Sequence, residues 1–506
     1  MSFRQDRTNP STAVSNWHGR SETSKGWPST RVSTWLNGGL FGSAANGWIA
    51  VPSGTNVPWK IYDSYLDGSD NLWIVSTASD TSNNDAPVGM ILADGTVGVA
   101  NDWKLIDATN SRPSYCRGVC VNGSDVFVFF QTANSANIQM GFTCGFTPGT
   151  LAPDYNKSYY ENGGRDFYGH KGAIKPFDSN SNLVAGYGYN SAYNRFHAYI
   201  SLIGTSDGVV EVLDAGTADT ILFESNSGSN SVYPILADGC KLGDYLLVGI
   251  SYQADRFGWL AQNTTHSGSY RQYYTDSGGS LSFSSGGVTA DTQSTTHLYM
   301  TCKNAGNEAQ IAKVKLSDGS LTWNRKIEAT TSPSTISSIS APVVDSSGNV
   351  YFAWAQYDNN AAIVDTAYRI HWVKYDTSGN VQQIDSQNTR CLFLSPEHAD
   401  AVYSVNVSLD SNEEFIYITA YNNANTPIAA KLPLDGSGTQ SGAYSVGGKS
   451  FYYRNDVATT DAAGTLTAAG TDGSYARNNE TTQINVGFNA AAQMGSPAVA
   501  SIEVGG

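Results

Sequence analysis

A short apolar and aromatic run recurs seven times along this chain, each time just after a polar turn. The runs cover residues 72–75, 126–130, 183–187, 245–250, 297–302, 350–354 and 415–418. They are rich in β-branched and aromatic residues and are bounded by turn formers, the pattern of strands. Asp67, Asn122, Asp178, Lys241, Asp291, Asp345 and Asp410 mark the preceding turns. Successive markers stand 55, 56, 63, 50, 54 and 65 residues apart. A unit of this size holds one small sheet, and such a sheet cannot bury its apolar faces alone. It must stack against its neighbours.

Each unit has room for four strands. Residues 310–316 and 369–375 alternate in polarity and read as third strands. Asp94-Gly95, Asp318-Gly319, Ser378-Gly379 and Asp435-Gly436 then supply the positive φ that tight hairpins need. A more polar run such as 321–327 follows, as expected of an exposed sheet edge. Four strands repeated seven times predict an all-β chain with a seven-bladed β-propeller over residues 59–453. A string of β-sandwiches would need about seven strands per domain and so a much longer period.

Composition agrees with many short strands and tight turns. Charged residues are 14% and apolar residues 40%, while Gly numbers 51 and Tyr 29. Long helices want a different mix. The formal net charge of -15 repels nucleic acid and anionic membrane surfaces, so neither is expected as a partner. No apolar run approaches the roughly 20 residues that span a bilayer, so membrane insertion is not expected. The first residues carry no apolar leader-like stretch. The expectation is a chain made in the cytosol, with its six cysteines free and buried.

Motifs for chemistry are weak. Residues 204–208 match the G-x-S-x-G spacing of a nucleophile elbow, but they lie between two strands and read as a hairpin turn. The seven histidines show no metal-binding spacing, and His371 alternates with apolar neighbours on a sheet face. Residues 67–71, 345–349 and 376–380 look like calcium loops but lack the ligand spacing and closing Glu of one. No catalytic residue, metal site or cofactor is expected. Aromatic clusters on exposed loops are the candidates for surface binding: Tyr159, Tyr160, Tyr168, Tyr273 and Tyr274.

The ends depart from the repeat. Residues 1–58 form an N-terminal segment and 454–506 a C-terminal one, each with one or two strand-like runs such as 47–51 and 483–488. One of these closes the ring by completing the blade at the opposite end, or both are arms that reach a neighbouring chain. Trp17, Trp27 and Trp35 in the polar N-terminal segment favour burial on a partner and are candidate assembly contacts.

The stretches 343–351 and 311–323 resemble the D-x-x-G-N-V-Y and K-x-x-x-x-G-x-x-x-W strands of β-propeller repeat proteins. Such repeats occur in bacterial surface proteins and in virion proteins of tailed marine bacteriophages, notably cyanophage tail fibres. The resemblance covers about 59–453. It implies a non-enzymatic virion protein made in the host cytoplasm, most simply a tail fibre or exposed tail appendage. It further implies a homo-oligomer that contacts other virion proteins through its terminal arms and a host-surface glycan or protein through its loops. The alternatives are a propeller hydrolase or lyase acting on host polysaccharide, and a secreted bacterial adhesin.

Overall fold

The computed structural model describes residues 47–504 less a set of inter-strand connections, among them 107–114, 162–167, 225–231 and 359–366. Among the described residues there is no helix, and the strands build seven antiparallel sheets of five or more strands. The innermost strands, in chain order, are Pro58–Leu66, Tyr115–Asn122, Tyr168–Pro176, Val232–Ile235, Ser282–Ala290, Thr335–Ile339 and Val402–Leu409. They define sheets one to seven. Each sheet packs against the next, and the seventh returns to the first, so the stack closes on itself as a β-propeller. The all-β propeller architecture expected from the repeat is therefore present.

Stacking buries both faces of each sheet, which explains why the second strands are apolar throughout rather than alternating. In Val350–Asp358, Phe352 and Trp354 pack in one cluster while Tyr351 and Ala353 pack in another on the opposite face. His371 is buried and stacks on Trp354, with centroids 5.2 Å apart. Six of the innermost strands carry a register irregularity, at Ile61/Asp63, Cys116/Gly118, Gly169/Ile174, Ser282/Gly287, Ile336/Ser338 and Tyr403/Asn406. Such bulges bend a strand and re-aim the side chains beside them. The inner strands also crowd the axis. A Cβ on Gly118 would meet the backbone of Ala173 and Ile174 at 2.7 Å, so only glycine fits there.

Both ends of the chain add strands to the ring. Gly47–Ser53 pairs with Pro427–Pro433 and is the fourth strand of sheet seven. Its Trp48 is buried, and the indole Nε1 donates to the Ala93 carbonyl of sheet one at 3.0 Å. The C-terminal stretch runs backwards round the whole molecule. Gly442–Val446 and Lys449–Arg454 extend sheet six, and Thr460–Ala463, Leu466–Gly470, Ser474–Asn478, Thr481–Ile484 and Ala492–Gln493 then extend sheets five, four, three, two and one. Ala498–Val504 finishes on Gly47–Ser53 in sheet seven. The fourth strands, expected as exposed edges, are therefore covered. The belt supplies the hydrogen-bonding partner that a bare edge would otherwise offer to another chain.

Side chains reinforce the belt at sheet five. The Tyr375 hydroxyl donates to Asp461 Oδ1 at 2.8 Å, Gln310 Nε2 donates to Thr465 Oγ1 at 2.8 Å, and Leu466 is buried. All six cysteines are unbridged and buried.

Candidate functional site

The turns flagged in the sequence lie at one end of the ring, where the inner strands finish. Their carboxylates are occupied by the turn itself. Asp345 Oδ1 accepts the Ser347 and Asn349 amides at 3.0 and 2.8 Å, and its Oδ2 accepts from Asn349 Nδ2 and the Tyr351 hydroxyl. Asp67 and Asp376 repeat the pattern. These turns also stitch neighbouring sheets. Asp70 Oδ1 accepts the Ser411 amide at 2.8 Å, and Thr292 Oγ1 donates to the Asp345 carbonyl at 2.6 Å. Among the described residues no group of three or more His, Cys, Asp or Glu could hold a metal ion. Residues 204–208 form a tight turn, closed by the Gly208 amide donating to the Gly204 carbonyl at 2.9 Å.

A depression of about 920 Å³ opens at this end, lined by Tyr65, Asp238, Asp291, Val343 and Ser408 from five different sheets. Its two carboxylates are both committed. Lys313 Nζ lies 2.8 Å from Asp291, and Lys175 Nζ lies 3.1 Å from Asp238. Ser408 Oγ also donates to Asp238 Oδ2 at 3.1 Å.

Beneath the depression the axis is plugged by charge. Lys175 Nζ sits 3.2 Å from Asp63 Oδ2 as well as against Asp238, joining sheets one, three and four. Asp63 also accepts the Val119 amide of sheet two at 3.1 Å. Burial alone would push the Lys175 ammonium down, but Asp238 and Asp63 together hold it above its ordinary value. Burial pushes the Asp63 carboxyl up, against the pull of Lys175. Lys171 Nζ crosses the axis and donates to the Val405 carbonyl of sheet seven. Burial lowers it to about 7, with Asp63 opposing and Lys175 assisting. The free volume left beside these groups is about 20 Å³. Burial raises the nearby thiols of Cys120 and Cys240, so both stay protonated and unreactive at neutral pH.

The opposite end, where the inner strands begin, is faced with tyrosine. Tyr357 and Tyr368 of sheet six lie 5.1 Å apart between centroids, and Tyr403 and Tyr421 of sheet seven 5.7 Å. Tyr421 meets Tyr62 of sheet one at 5.8 Å, and the Arg117 guanidinium of sheet two lies 4.5 Å from the Tyr62 ring and 5.4 Å from Tyr115. Tyr168 stacks on Tyr187 of sheet three at 5.2 Å, and Tyr187 meets Tyr233 of sheet four at 4.7 Å. All nine of these rings are half-buried. Each is partly packed against its neighbours and partly exposed. The inner-strand bulges create this face, because Tyr62 and Arg117 are the residues skipped at Ile61/Asp63 and Cys116/Gly118. Burial and neighbouring tyrosines push Tyr187 and Tyr421 up to about 12, and Arg117 pulls both back. They stand as neutral hydroxyl donors around one cation.

Of the aromatics read from sequence, Tyr168 belongs to this face. Tyr273 and Tyr274 do not, and their assignment as surface residues is corrected. Both are at most 1% exposed, in clusters between sheets. The Tyr274 hydroxyl is used internally, donating to the Gly319 carbonyl at 2.7 Å. Tyr159 and Tyr160 lie on the fourth strand of sheet two, paired with Gln483 and Thr482 of the belt. Trp17, Trp27 and Trp35 lie outside the described residues. The sequence reading missed Tyr62, Tyr115, Tyr187, Tyr233, Tyr357, Tyr368, Tyr403 and Tyr421. The usable signal was a tyrosine near the start of an inner strand or the end of the following one.

No family model matches the chain, and no curated protein is similar to it. Among solved structures it is similar to a subtype N10 neuraminidase-like protein of a little yellow-shouldered bat isolate from Guatemala, with 10% identity, 66% of this chain and 97% of that chain covered, and a TM-score of 0.38. A mitotic checkpoint complex chain gives 9% identity, coverage of 79% and 98%, and a TM-score of 0.42. The extracellular domains 1-2 of Drosophila Semaphorin 1a give 9%, coverage of 76% and 88%, and 0.35. At these values the likenesses add nothing to the architecture that strand pairing defines.

Proposed function

We propose that this chain is a non-enzymatic structural and binding protein whose tyrosine face engages a host-surface glycan or protein. The observation that carries the reading is the arc of half-buried tyrosines around Arg117, running over six sheets at one end of the ring. Aromatic faces with hydroxyl edges stack on sugar rings and anchor interfaces. The seven sheets support reading the ring as seven-bladed. The commitment of Asp238 and Asp291 to lysines supports a binding role over hydrolysis, which needs one free carboxylic acid and one free carboxylate across a cleft.

The setting is that of the sequence resemblance: a tailed-phage virion, in a tail fibre or other exposed tail appendage, assembled as a homo-oligomer. The segment holding Trp17, Trp27 and Trp35 makes the contacts to other virion proteins. No metal or cofactor takes part.

Two measurements test this. Purified protein incubated with host envelope polysaccharide is assayed for new reducing ends and, separately, for retention on the glycan or on whole cells. Retention without turnover is expected, lost in Tyr187→Ala and Tyr421→Ala. Turnover abolished by Asp238→Asn or Asp291→Asn would replace the reading with a glycan hydrolase. A chain lacking residues 1–45 is expected to fold but to fail to assemble, read by size-exclusion chromatography and melting.

A further inference from the structure

We infer that Arg117 is an anion anchor, and that the tyrosine face takes a saccharide carrying an isolated carboxylate. This rests on the tyrosine face being the binding face and names the class of its ligand.

Among the described residues the Arg117 guanidinium makes no hydrogen bond or ion pair, and its Nε is sealed from solvent without an acceptor. Its contacts are the faces of Tyr62 and Tyr115. A cation withdrawn from water is ordinarily given a counter-ion. This chain has 44 acidic residues against 29 Lys and Arg, so acceptors are plentiful. Arg325, by contrast, reaches both the Gly379 carbonyl and Asp461. Arg117 is held by ring faces, and none of its N–H groups has an acceptor among the described residues. Cation–π contact fixes the plane of the group. A guanidinium fixed in this way matches a carboxylate through two parallel hydrogen bonds.

The surroundings select the rest of the ligand. Tyr62, Tyr187 and Tyr421 are half-buried rings grouped near Arg117. Those rings suit the flat faces of sugars, and their hydroxyls suit sugar hydroxyls. A densely charged polyanion does not fit, because a single guanidinium on a chain of net charge -15 cannot offset many like charges. One acidic sugar among neutral ones does.

The test uses the full chain and two probes, xylotetraose and the same oligosaccharide carrying a single glucuronic acid, with binding followed by calorimetry. The acidic probe is expected to bind tighter by on the order of tenfold or more, the usual return on a charged hydrogen-bond pair. Arg117→Gln should erase that difference, weakening the acidic probe more than the neutral one, and Arg117→Lys should keep part of it. Tyr187→Ala should weaken both probes. Melting temperatures accompany each variant, and the lysine variant retains the test if the glutamine variant is destabilised. Equal affinity for the two probes, with both weakened in Tyr187→Ala, overturns the anion anchor and leaves the binding face standing. Preference for the acidic probe surviving Arg117→Gln also overturns the anchor. Probes that bind Tyr187→Ala and Tyr421→Ala as they bind the native chain, or that do not bind at all, overturn both.

Discussion

Replacing Lys175 with methionine removes the ammonium that ties three sheets together at the axis. The side chains of Lys175 and Asp63 are 4% and 3% exposed, so the carboxylate left behind cannot recover its loss from water. Its remaining partner would be the Val119 amide at 3.1 Å. Breaking a buried pair by removing one member costs about 3–5 kcal/mol. Asp238 is 28% exposed and can turn to solvent, so most of the loss belongs to Asp63. The assay is urea unfolding of Lys175→Met at pH 7 and again at pH 5. Burial and Asp238 both raise the Asp63 carboxyl, and without Lys175 only the Val119 amide and the Lys171 amine are left to oppose them. The variant therefore takes up a proton in the folded state as pH falls, and its deficit should shrink at pH 5. Asp63→Asn combined with Lys175→Met should recover most of the stability, because the stranded charge is gone. A deficit below about 1 kcal/mol at pH 7, or one unchanged at pH 5, would refute the claim that this pair is buried and coupled.

Trp354→Ala should cost about 3–5 kcal/mol, since the ring is fully enclosed between sheets five and six; a loss near zero in chemical denaturation would mean that the strand register is wrong. Removing residues 460–506 should expose the outer strands of six sheets and produce aggregation in light scattering, whereas a monodisperse product with unchanged melting would show the belt to be dispensable. Lys171 has an ordinary value of 10.5 and is lowered to about 7 in the folded state, so the unfolded chain holds the extra proton between those values. Its contribution to stability should rise from pH 7 towards pH 10.5 and fall away on acidification towards pH 7. Lys171→Met should flatten that rise, and an identical pH profile in the variant would contradict the placement of the amine beside Asp63 and Lys175.

The repeat was legible because each sheet is built from local pairing. A turn, a β-branched run and a glycine hairpin fix a strand's length and its partner within about 20 residues, and the same chemistry recurs at Asp67, Asp345 and Asp376 with the same hydrogen bonds. The reading of the Asp turns as turn chemistry rather than calcium loops follows from the same local logic. The site was less legible. Tyr273 and Tyr274 look like an exposed pair in sequence. Successive residues on a strand point to opposite faces, and in a stacked ring both faces are interior, so adjacency in sequence placed them in two different cores.

The sequence alone determined the class of structure, the strands and the tight turns, because those follow from residue type and spacing over a few positions. The tertiary structure decided what the ends do and what each end of the ring presents. Ring closure brings Gly47–Ser53 to Pro427–Pro433, a pairing across nearly the whole chain with no local signal. The belt's weakly apolar strands, such as Ser474–Asn478, are strands because an unpaired edge waits for them, not because of their own propensity. Arg117 and Tyr62 meet because bulges in neighbouring inner strands turn both towards one end. Contacts between residues far apart in sequence depend on the closed ring, so no window of sequence contains them.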